Sequence, residues 1–177
     1  LAVAPYHVDA LLPEDTPNYI QTAYQSLHYH AITTVYLRYA QAVKLPAPLT
    51  GFADGTAQWV LHRGTLGLPD NEVAVVIIVS DCTEAWKDKD LAEKVHADIK
   101  RVCPDLDKHE AVRIITEKRA TTAATVDFIQ PDFSWLHHRR IYPAGDYLHP
   151  RYPATLEAAV QSGFAAAEKL MLDLRFE

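Results

Sequence analysis

The sequence is poor in glycine and has no glycine-rich phosphate-binding pattern. Only 6 glycines occur among 177 residues, and none of them follow the G-x-G-x-x-G spacing that lets a backbone approach a pyrophosphate. A dinucleotide-binding motif of that kind is therefore excluded from this stretch of chain. The longest apolar run, Val73 to Val79, is also far too short to cross a bilayer as a helix.

Cysteine and positive charge are scarce as well. Cys82 and Cys103 form neither a C-x-x-C pair nor a metal-ligand spacing, so we predict buried, reduced thiols, which suit a cytoplasmic protein. The net charge of -6 and the lack of a Lys/Arg stripe argue against a nucleic-acid partner. His28 and His30 would share one face of a strand, but no third ligand follows at a suitable spacing, so we predict no metal site.

The size and composition are those of a soluble globular domain. The apolar share of 49% and the charged share of 23% are ordinary, and a chain of this length can bury a core without disulfides. The sequence has no initiator Met and opens on an apolar tetrad, Leu1 to Ala4, before Pro5. This opening is typical of the middle of a strand followed by the first turn of a short helix. We therefore expect the sequence to be part of a longer protein.

The first half of the chain predicts an antiparallel sheet. A helix is indicated from Asn18 to Ser26, and β-branched and aromatic residues then predict a strand from Ala31 to Tyr39. Asp54-Gly55 lies between two β-prone runs, which favours a hairpin with a type I′ turn. The unbroken apolar run from Val73 to Val79 predicts a strand buried on both faces. Together these patterns predict a meander of about four strands over residues 31–79.

The second half mixes helices and strands without regular alternation. Asp81, as N-cap, and Glu84 form a capping-box-like start for a helix that ends before Pro104. The elements predicted after it are a strand from Ala111 to Ala120, an irregular segment from Ala120 to Arg140, a short strand from Arg140 to Asp146, and a helix from Pro153 to Leu172. This order predicts the α+β class rather than a βαβ fold.

A candidate cofactor site lies at the end of the short predicted strand. The carboxylate of Asp146 can accept a hydrogen bond from a ribose or ribityl hydroxyl, and backbone N–H groups near Gly145 can approach a phosphate. The alternative interpretation is that Gly-Asp is simply a turn. The dipeptide alone favours the turn, so the candidate depends on the helix that follows.

That helix lacks an obvious N-cap. Pro153 suits the first helical position, and Tyr152 before it is a poor cap. The N–H groups of Ala154, Thr155 and Leu156 are therefore predicted to be free for an anion or an electron-rich ring edge, aided by the helix dipole. Many small residues keep the helix slim enough for a close cofactor. The alternative is a plain alanine-rich core helix.

The segments that carry a family resemblance cover nearly the whole chain. "YPAGDY…YPATLEAAVQSGFAAA", preceded in order by "LAVAPYHVDALLP", "AITTVYLRY", "GTAQWVLHR" and "EKRATTAAT", resembles the C-terminal segment of FAD-dependent amine oxidases and phytoene-desaturase-like enzymes. Within that superfamily the chain is most similar to the hydroxysqualene dehydroxylase family, also called squalene-associated FAD-dependent desaturases.

The resemblance implies the C-terminal part of a two-domain flavoprotein. Residues 1–5 would be a strand leaving the FAD-binding, Rossmann-like domain, residues 6–119 a substrate domain whose sheet floors an apolar cavity, and residues 120–177 the return to the FAD domain. Gly145 and Asp146 would hold the ribityl-phosphate end of FAD. Ala154, Thr155 and Leu156 would face the pyrimidine edge of the flavin.

The function implied is an FAD-dependent oxidoreductase that acts on a squalene-type isoprenoid by hydride transfer through the flavin, converting hydroxysqualene to squalene. A carotenoid or phytoene desaturase and a flavin amine oxidase are the alternatives, and a non-catalytic apolar-ligand or interaction module is an alternative of another class. The sequence identifies no catalytic acid or base. We expect this part of the chain to be inactive alone, to lack FAD, and to self-associate through an exposed apolar face. Peripheral membrane contact is a further expectation.

Overall fold

The computed structural model describes residues 1–79, 87–123, 125, 132–148 and 151–175. It combines helices with an antiparallel sheet, as the α+β prediction requires. The chain forms two compact units. We call His30–Ala120 the sheet unit, and Leu1–Tyr29 with Thr121–Glu177 the terminal unit. Residues 6–29, which were predicted to belong to a substrate domain, thus lie in the terminal unit. The division into an FAD-binding domain and a substrate domain stays a prediction.

One five-stranded sheet is formed by the described residues, with the strand order β2-β3-β4-β1-β5. Its strands are β1 (Tyr29–Arg38), β2 (Leu49–Gly51), β3 (Trp59–His62), β4 (Glu72–Val79) and β5 (Ala111–Thr122). The predicted meander is right for β2, β3 and β4, which are consecutive antiparallel neighbours. It is wrong for β1, which pairs with β4, from Ala31 opposite Val79 to Arg38 opposite Glu72. A ten-residue strand such as β1 gains more backbone hydrogen bonds from the eight-residue β4 than from the three-residue β2.

The hairpin between β2 and β3 has a longer loop than predicted. The N–H of Phe52 donates to the carbonyl of Gln58 at 2.9 Å, so the loop is not the two-residue type I′ turn expected from Asp54-Gly55. Gly55 has a φ of 100° and is the residue of that pair with positive φ. Asp98, in the helix α2 (Leu91–Lys100), explains the longer loop. Its buried carboxylate accepts hydrogen bonds from the N–H groups of two further loop residues, so these residues belong to the loop and not to the strand.

The core of the sheet unit lies on one face of the sheet. Val35 and Leu37 of β1 pack with Leu91, Val95 and Ile99 of α2, and all five are at most 1% exposed. The predicted helix start at Asp81 and Glu84 lies outside the described residues, as does Cys82. Cys103 is buried and free, as predicted.

The opposite face of the sheet is more open to solvent. Trp59 is 45% exposed and Ile115 is 43% exposed, and Tyr36 is partly exposed beside them along the sheet. Trp59 lies opposite Val76 in the register of β3 and β4, so it points away from the core residues Val60 and Val75. We call this surface the open sheet face.

The terminal unit contains the helices α1 (Asn18–Gln25), α3 (Ser134–His138) and α4 (Leu156–Arg175). Its core contains Val8, Ile20, Tyr24, Leu136 and Tyr147, all at most 3% exposed. The helix predicted from Asn18 is confirmed, and so is a short helical turn beginning at Pro5.

The strands predicted at Leu1 to Ala4 and at Arg140 to Asp146 are wrong. Neither segment is a strand. They pair only at Leu1, whose amino group donates to the carbonyl of Tyr142 at 2.7 Å and whose carbonyl accepts from Ala144 at 3.0 Å. Prolines explain the short pairing, because Pro143 has no N–H to donate and Pro5 begins a 3-10 turn at once.

The last helix, α4, begins at Leu156, three residues later than predicted, and ends at Arg175. Within α4, Ala158 is buried, whereas several large apolar side chains are between 37% and 89% exposed: Leu156, Val160, Phe164, Leu170, Met171, Leu172 and Leu174. An exposed apolar face was expected for this helix. Within the described part of the chain, no helix has the length and apolar character needed to cross a membrane.

Candidate cofactor site

Two hydrogen bonds bring the predicted site residues together. The N–H of Gly145 donates to Oγ of Ser162 in α4 at 2.9 Å, and the N–H of Ala154 donates to the carbonyl of Asp146 at 3.1 Å. The Gly-Asp loop is therefore bound both to the body of α4 and to the segment that leads into it.

Gly145 is required by a close approach of Tyr147. A Cβ built on Gly145 would lie 2.3 Å from Cε1 of the Tyr147 ring, which is 2% exposed. Burial, together with the neighbouring Tyr24 hydroxyl, raises the pKa of Tyr147. Because the N–H of Gly145 is used by Ser162, the expectation that it approaches a phosphate is wrong for this donor. The glycine acts here through its lack of a side chain.

Asp146 retains its acceptor capacity. Its side chain is partly exposed, and none of the described residues forms a hydrogen bond or ion pair with its carboxylate. The residue begins a 3-10 helix, Asp146–Leu148, and its carbonyl is bound to Ala154. The backbone is thus fixed while the carboxylate stays available to accept a hydroxyl hydrogen bond.

The start of α4 is capped, contrary to the prediction. Oγ of Thr155 accepts the N–H of Ala158 at 3.1 Å, and its hydroxyl donates to the carbonyl of Tyr152 at 2.8 Å. Thr155, not Tyr152, is therefore the N-cap. The prediction was wrong because the helix begins at Leu156 and not at Pro153, and because threonine is a better cap than tyrosine.

Two of the three predicted free donors remain. The N–H of Ala154 is used by Asp146, whereas the N–H groups of Thr155 and Leu156 have no acceptor among the described residues. The side chain of Leu156 is 89% exposed. Ala154 has a φ of 61°, a left-handed conformation that is unfavourable for a residue with a Cβ. This kink separates Pro153 from the helix and sets the point at which α4 begins.

A hollow of about 550 Å³ runs beside the middle of α4. Its helix side is formed by small residues, Gly163, Ala166 and Ala167, and a Cβ built on Gly163 would meet nothing within 4 Å. Leu1 and Ile141 are among the residues on the other side. The prediction that small residues keep this helix slim agrees with the open space found here.

Sequence reasoning missed a polar network at the far end of α4. The hydroxyl of Tyr142 donates to Oδ2 of Asp173 at 2.8 Å, and Nζ of Lys169 donates to Oδ1 at 2.7 Å. The ring of His137 stacks on Tyr142 with centroids 5.5 Å apart. Hydrogen bonds from Lys169 and Tyr142 lower the pKa of Asp173, and burial raises the pKa of Tyr142. Only the Lys169 and Asp173 pair, four residues apart on a helix, was readable from the sequence.

The chain matches one protein family along nearly its whole length. The profile of the flavin containing amine oxidoreductase family matches residues 1–171. Because this match covers nearly all of the sequence, the chain belongs to that family, as the resemblance predicted.

Two curated relatives share similarity along almost the whole chain. A hydroxysqualene dehydroxylase of Rhodopseudomonas palustris is 30% identical over 97% of this chain. A hydroxysqualene dehydroxylase of Zymomonas mobilis is 25% identical over 95% of it. The chain spans only 38% and 37% of the length of these two relatives, respectively.

A solved structure has the same fold. The crystal structure of a candidate protoporphyrinogen oxidase from Exiguobacterium superposes with a TM-score of 0.59 over 95% of this chain and 40% of that protein. The sequence identity is 16%, so this likeness bears on the fold alone.

Proposed function

We propose that this chain is the C-terminal part of an FAD-dependent oxidoreductase that removes a hydroxyl group from a squalene-type isoprenoid, converting hydroxysqualene to squalene. The observation that carries the proposal is that the carboxylate of Asp146 lies near the N–H groups of Thr155 and Leu156, and that none of these groups has a partner among the described residues. In a member of a flavin-containing family, this set of groups suits a flavin cofactor. The two curated relatives support the choice of substrate class.

The residues present fit one part of FAD and not another. The Asp146 carboxylate would accept a hydrogen bond from the ribityl chain, and the N–H groups of Thr155 and Leu156 would stabilise negative charge at the flavin pyrimidine edge, aided by the dipole of α4. The N–H of Gly145 does not fit a phosphate, because it is bound to Ser162. When bound, FAD supplies the hydride chemistry. The residues of this chain bind and orient it.

The open sheet face supports an apolar substrate. Trp59 and Ile115 are each more than two-fifths exposed. Covering this apolar surface with a hydrocarbon chain would remove it from water, which is favourable. We propose that this face forms the floor of the substrate cavity. An isoprenoid chain requires contact with many apolar side chains and few polar ones.

The test is made on the longer protein that we propose contains this chain. Purified protein should be yellow and should convert hydroxysqualene to squalene with a supplied reductant. Asp146→Ala should weaken FAD binding by roughly tenfold, since it removes a hydrogen bond to a charged acceptor. Asp107→Ala is the matched control, because Asp107 is an exposed carboxylate in the sheet unit. A colourless protein, or equal FAD retention by both variants, would overturn the cofactor proposal.

The same purified protein distinguishes the alternative substrates. If the protein is a carotenoid or phytoene desaturase or a flavin amine oxidase that uses FAD, it should be yellow and should leave hydroxysqualene unchanged. Turnover of phytoene or of an amine, in place of hydroxysqualene, would replace the proposed substrate and leave the flavin proposal standing.

A function of a different class is favoured by the exposed side chains of α4. Leu156 and Phe164 are 89% and 67% exposed, as in an interaction module or an apolar-ligand carrier. Titration of FAD into the 177-residue chain, followed by flavin fluorescence, distinguishes part of a flavoenzyme from such a module. We expect no tight binding by this chain alone. Binding of squalene without any requirement for FAD would favour the module.

We also propose that the isolated chain self-associates through α4. Exposed Val160 and Phe164 lie one turn apart, on one side of the helix. Analytical ultracentrifugation should show concentration-dependent association, and Phe164→Glu should reduce it. A strictly monomeric state at high concentration would contradict this proposal.

A further inference from the structure

Three arginines converge at one end of the open sheet face. Arg38 ends β1, Arg63 follows β3, and Arg113 lies in β5, so residues far apart in sequence meet at one place. They line a cavity of about 550 Å³ whose wall also includes Tyr36, Glu72 and Ile115. All of the lining residues belong to the sheet unit.

Within the described residues, one of the three guanidinium groups has an ion-pair partner. Arg63 forms an ion pair with Glu72, and its guanidinium carbon lies 5.4 Å from the centroid of the Tyr36 ring. Across the described part of the chain, Arg38 and Arg113 have neither an ion-pair partner nor a side-chain hydrogen bond. The cavity lining therefore carries two excess positive charges, although the protein as a whole has a net charge of -6.

The same cavity exposes apolar surface. Val112 and Ile115 are each 43% exposed, and both belong to the lining. Cations alone would suit a free inorganic ion. Cations beside exposed aliphatic side chains suit a molecule with an anionic head and a hydrocarbon chain, because each part then meets a complementary surface.

We propose that this cavity binds the phosphate monoester group of an amphipathic molecule, with its hydrocarbon chain lying on Val112 and Ile115. A phosphate monoester carries a charge of roughly -1.5 to -2 at neutral pH, which matches the two unpaired guanidinium groups. The planar guanidinium of arginine can bond two phosphate oxygens at once. Tyr36 offers a further hydroxyl at the same wall. The inference rests on the sheet unit and does not depend on the flavin chemistry proposed above.

Isothermal titration calorimetry of the 177-residue chain tests the ligand class. The probes are octyl phosphate, octanoate, inorganic phosphate and octanol, each below its aggregation concentration. We expect octyl phosphate to bind at least about tenfold more tightly than each of the other three, because only it uses both the charges and the apolar wall. Equal binding of inorganic phosphate would overturn the amphipathic assignment, and equal binding of octanoate would overturn the phosphate assignment.

Three arginine variants and one control variant test the residues. Arg38→Gln and Arg113→Gln should each weaken octyl phosphate binding by roughly tenfold, and Arg113→Lys should recover part of the loss by restoring the charge. Lys100→Gln makes the same change in net charge on α2, outside the cavity lining, and should leave the affinity within about twofold. Equal affinities for the Arg and Lys100 variants would overturn the site.

A salt titration of the unaltered chain is a second test, and it does not depend on whether the variants fold. Raising the ionic strength from about 50 to about 200 mM should weaken octyl phosphate binding and leave octanol unaffected. Binding of octyl phosphate that does not respond to salt would contradict a role for the arginines.

Discussion

The backbone of Gly145 lies against the ring of Tyr147 so closely that a Cβ on Gly145 would come within 2.3 Å of Cε1. Gly145→Ala should therefore force the buried ring or the loop to move. Overpacking of this kind costs about 1–3 kcal/mol, and we expect the free energy of unfolding to fall by that amount. Chemical denaturation followed by circular dichroism measures the change.

Gly163 provides the matched control for this substitution. It lies within α4, and a Cβ there would meet nothing within 4 Å. Gly163→Ala should raise the free energy of unfolding by about 0.5–1 kcal/mol, because alanine is the better helix former. A loss of stability in Gly163→Ala as large as that in Gly145→Ala would show that the contact with Tyr147 is not the cause.

Thr155 should contribute to the stability of α4 as its N-cap. Thr155→Ala removes the oxygen that accepts the N–H of Ala158 and should cost about 1 kcal/mol. Thr155→Ser keeps an oxygen in the same place and should retain most of the stability. If the alanine and serine variants unfold at the same denaturant concentration, Thr155 is not the cap.

Asp98 should hold the hairpin loop of the sheet unit. Its buried carboxylate accepts the N–H groups of Thr56 and Ala57 at 2.7 and 2.9 Å, so Asp98→Ala leaves two donors without their acceptor. We expect a loss of about 1–3 kcal/mol, the usual cost of such unsatisfied groups. Asp107→Ala is the control, since Asp107 is exposed, and thermal unfolding of both variants tests the difference.

His96 should make stability depend on pH. Burial, then the charges of His109 and Lys100, lowers the pKa of His96 in the folded state. The unfolded chain therefore binds a proton more readily, so this contribution to stability is present above the unfolded pKa of about 6.5 and is lost as the pH falls below it. His96→Gln should flatten the fall in melting temperature on the acid side of neutrality.

The exposed His28 is the control for that measurement. His28→Gln should leave the pH profile of the melting temperature close to that of the unaltered chain. Identical profiles for His96→Gln and the unaltered chain would assign the acid sensitivity to other groups, of which His137, also with a pKa lowered by burial, is the next to test.

Elements with a strong local pattern could be predicted from the sequence. The helix α1 and the strands β1 and β5 lie within a few residues of their predicted limits, since their periodicity or β-branched content does not depend on distant partners. The pairing of β1 with β4 could not be predicted in this way. This pairing depends on the lengths of the other strands, because β1 pairs with a strand long enough to form many backbone hydrogen bonds with it.

The closeness of the candidate site residues to one another could be expected from the sequence, whereas their hydrogen bonds could be predicted only in part. Proximity of Gly145 to α4 follows from the short loop between them, but its bond to Ser162 joins residues 17 positions apart. No local pattern indicates that bond. The cap at Thr155 was readable, since threonine is a favoured N-cap. The left-handed turn at Ala154 was not, because alanine rarely adopts it.

The segment from Tyr142 to Gly145 holds α4 at two points, through Ser162 and Asp173. These residues are eleven positions apart, or about three turns and roughly 16 Å along the helix, and so lie on the same side of it. Two attachments on one side prevent the helix from rolling about its axis. Phe164 lies on the opposite side and is 67% exposed. The direction in which α4 presents its apolar surface is therefore fixed by bonds that the apolar residues themselves do not make.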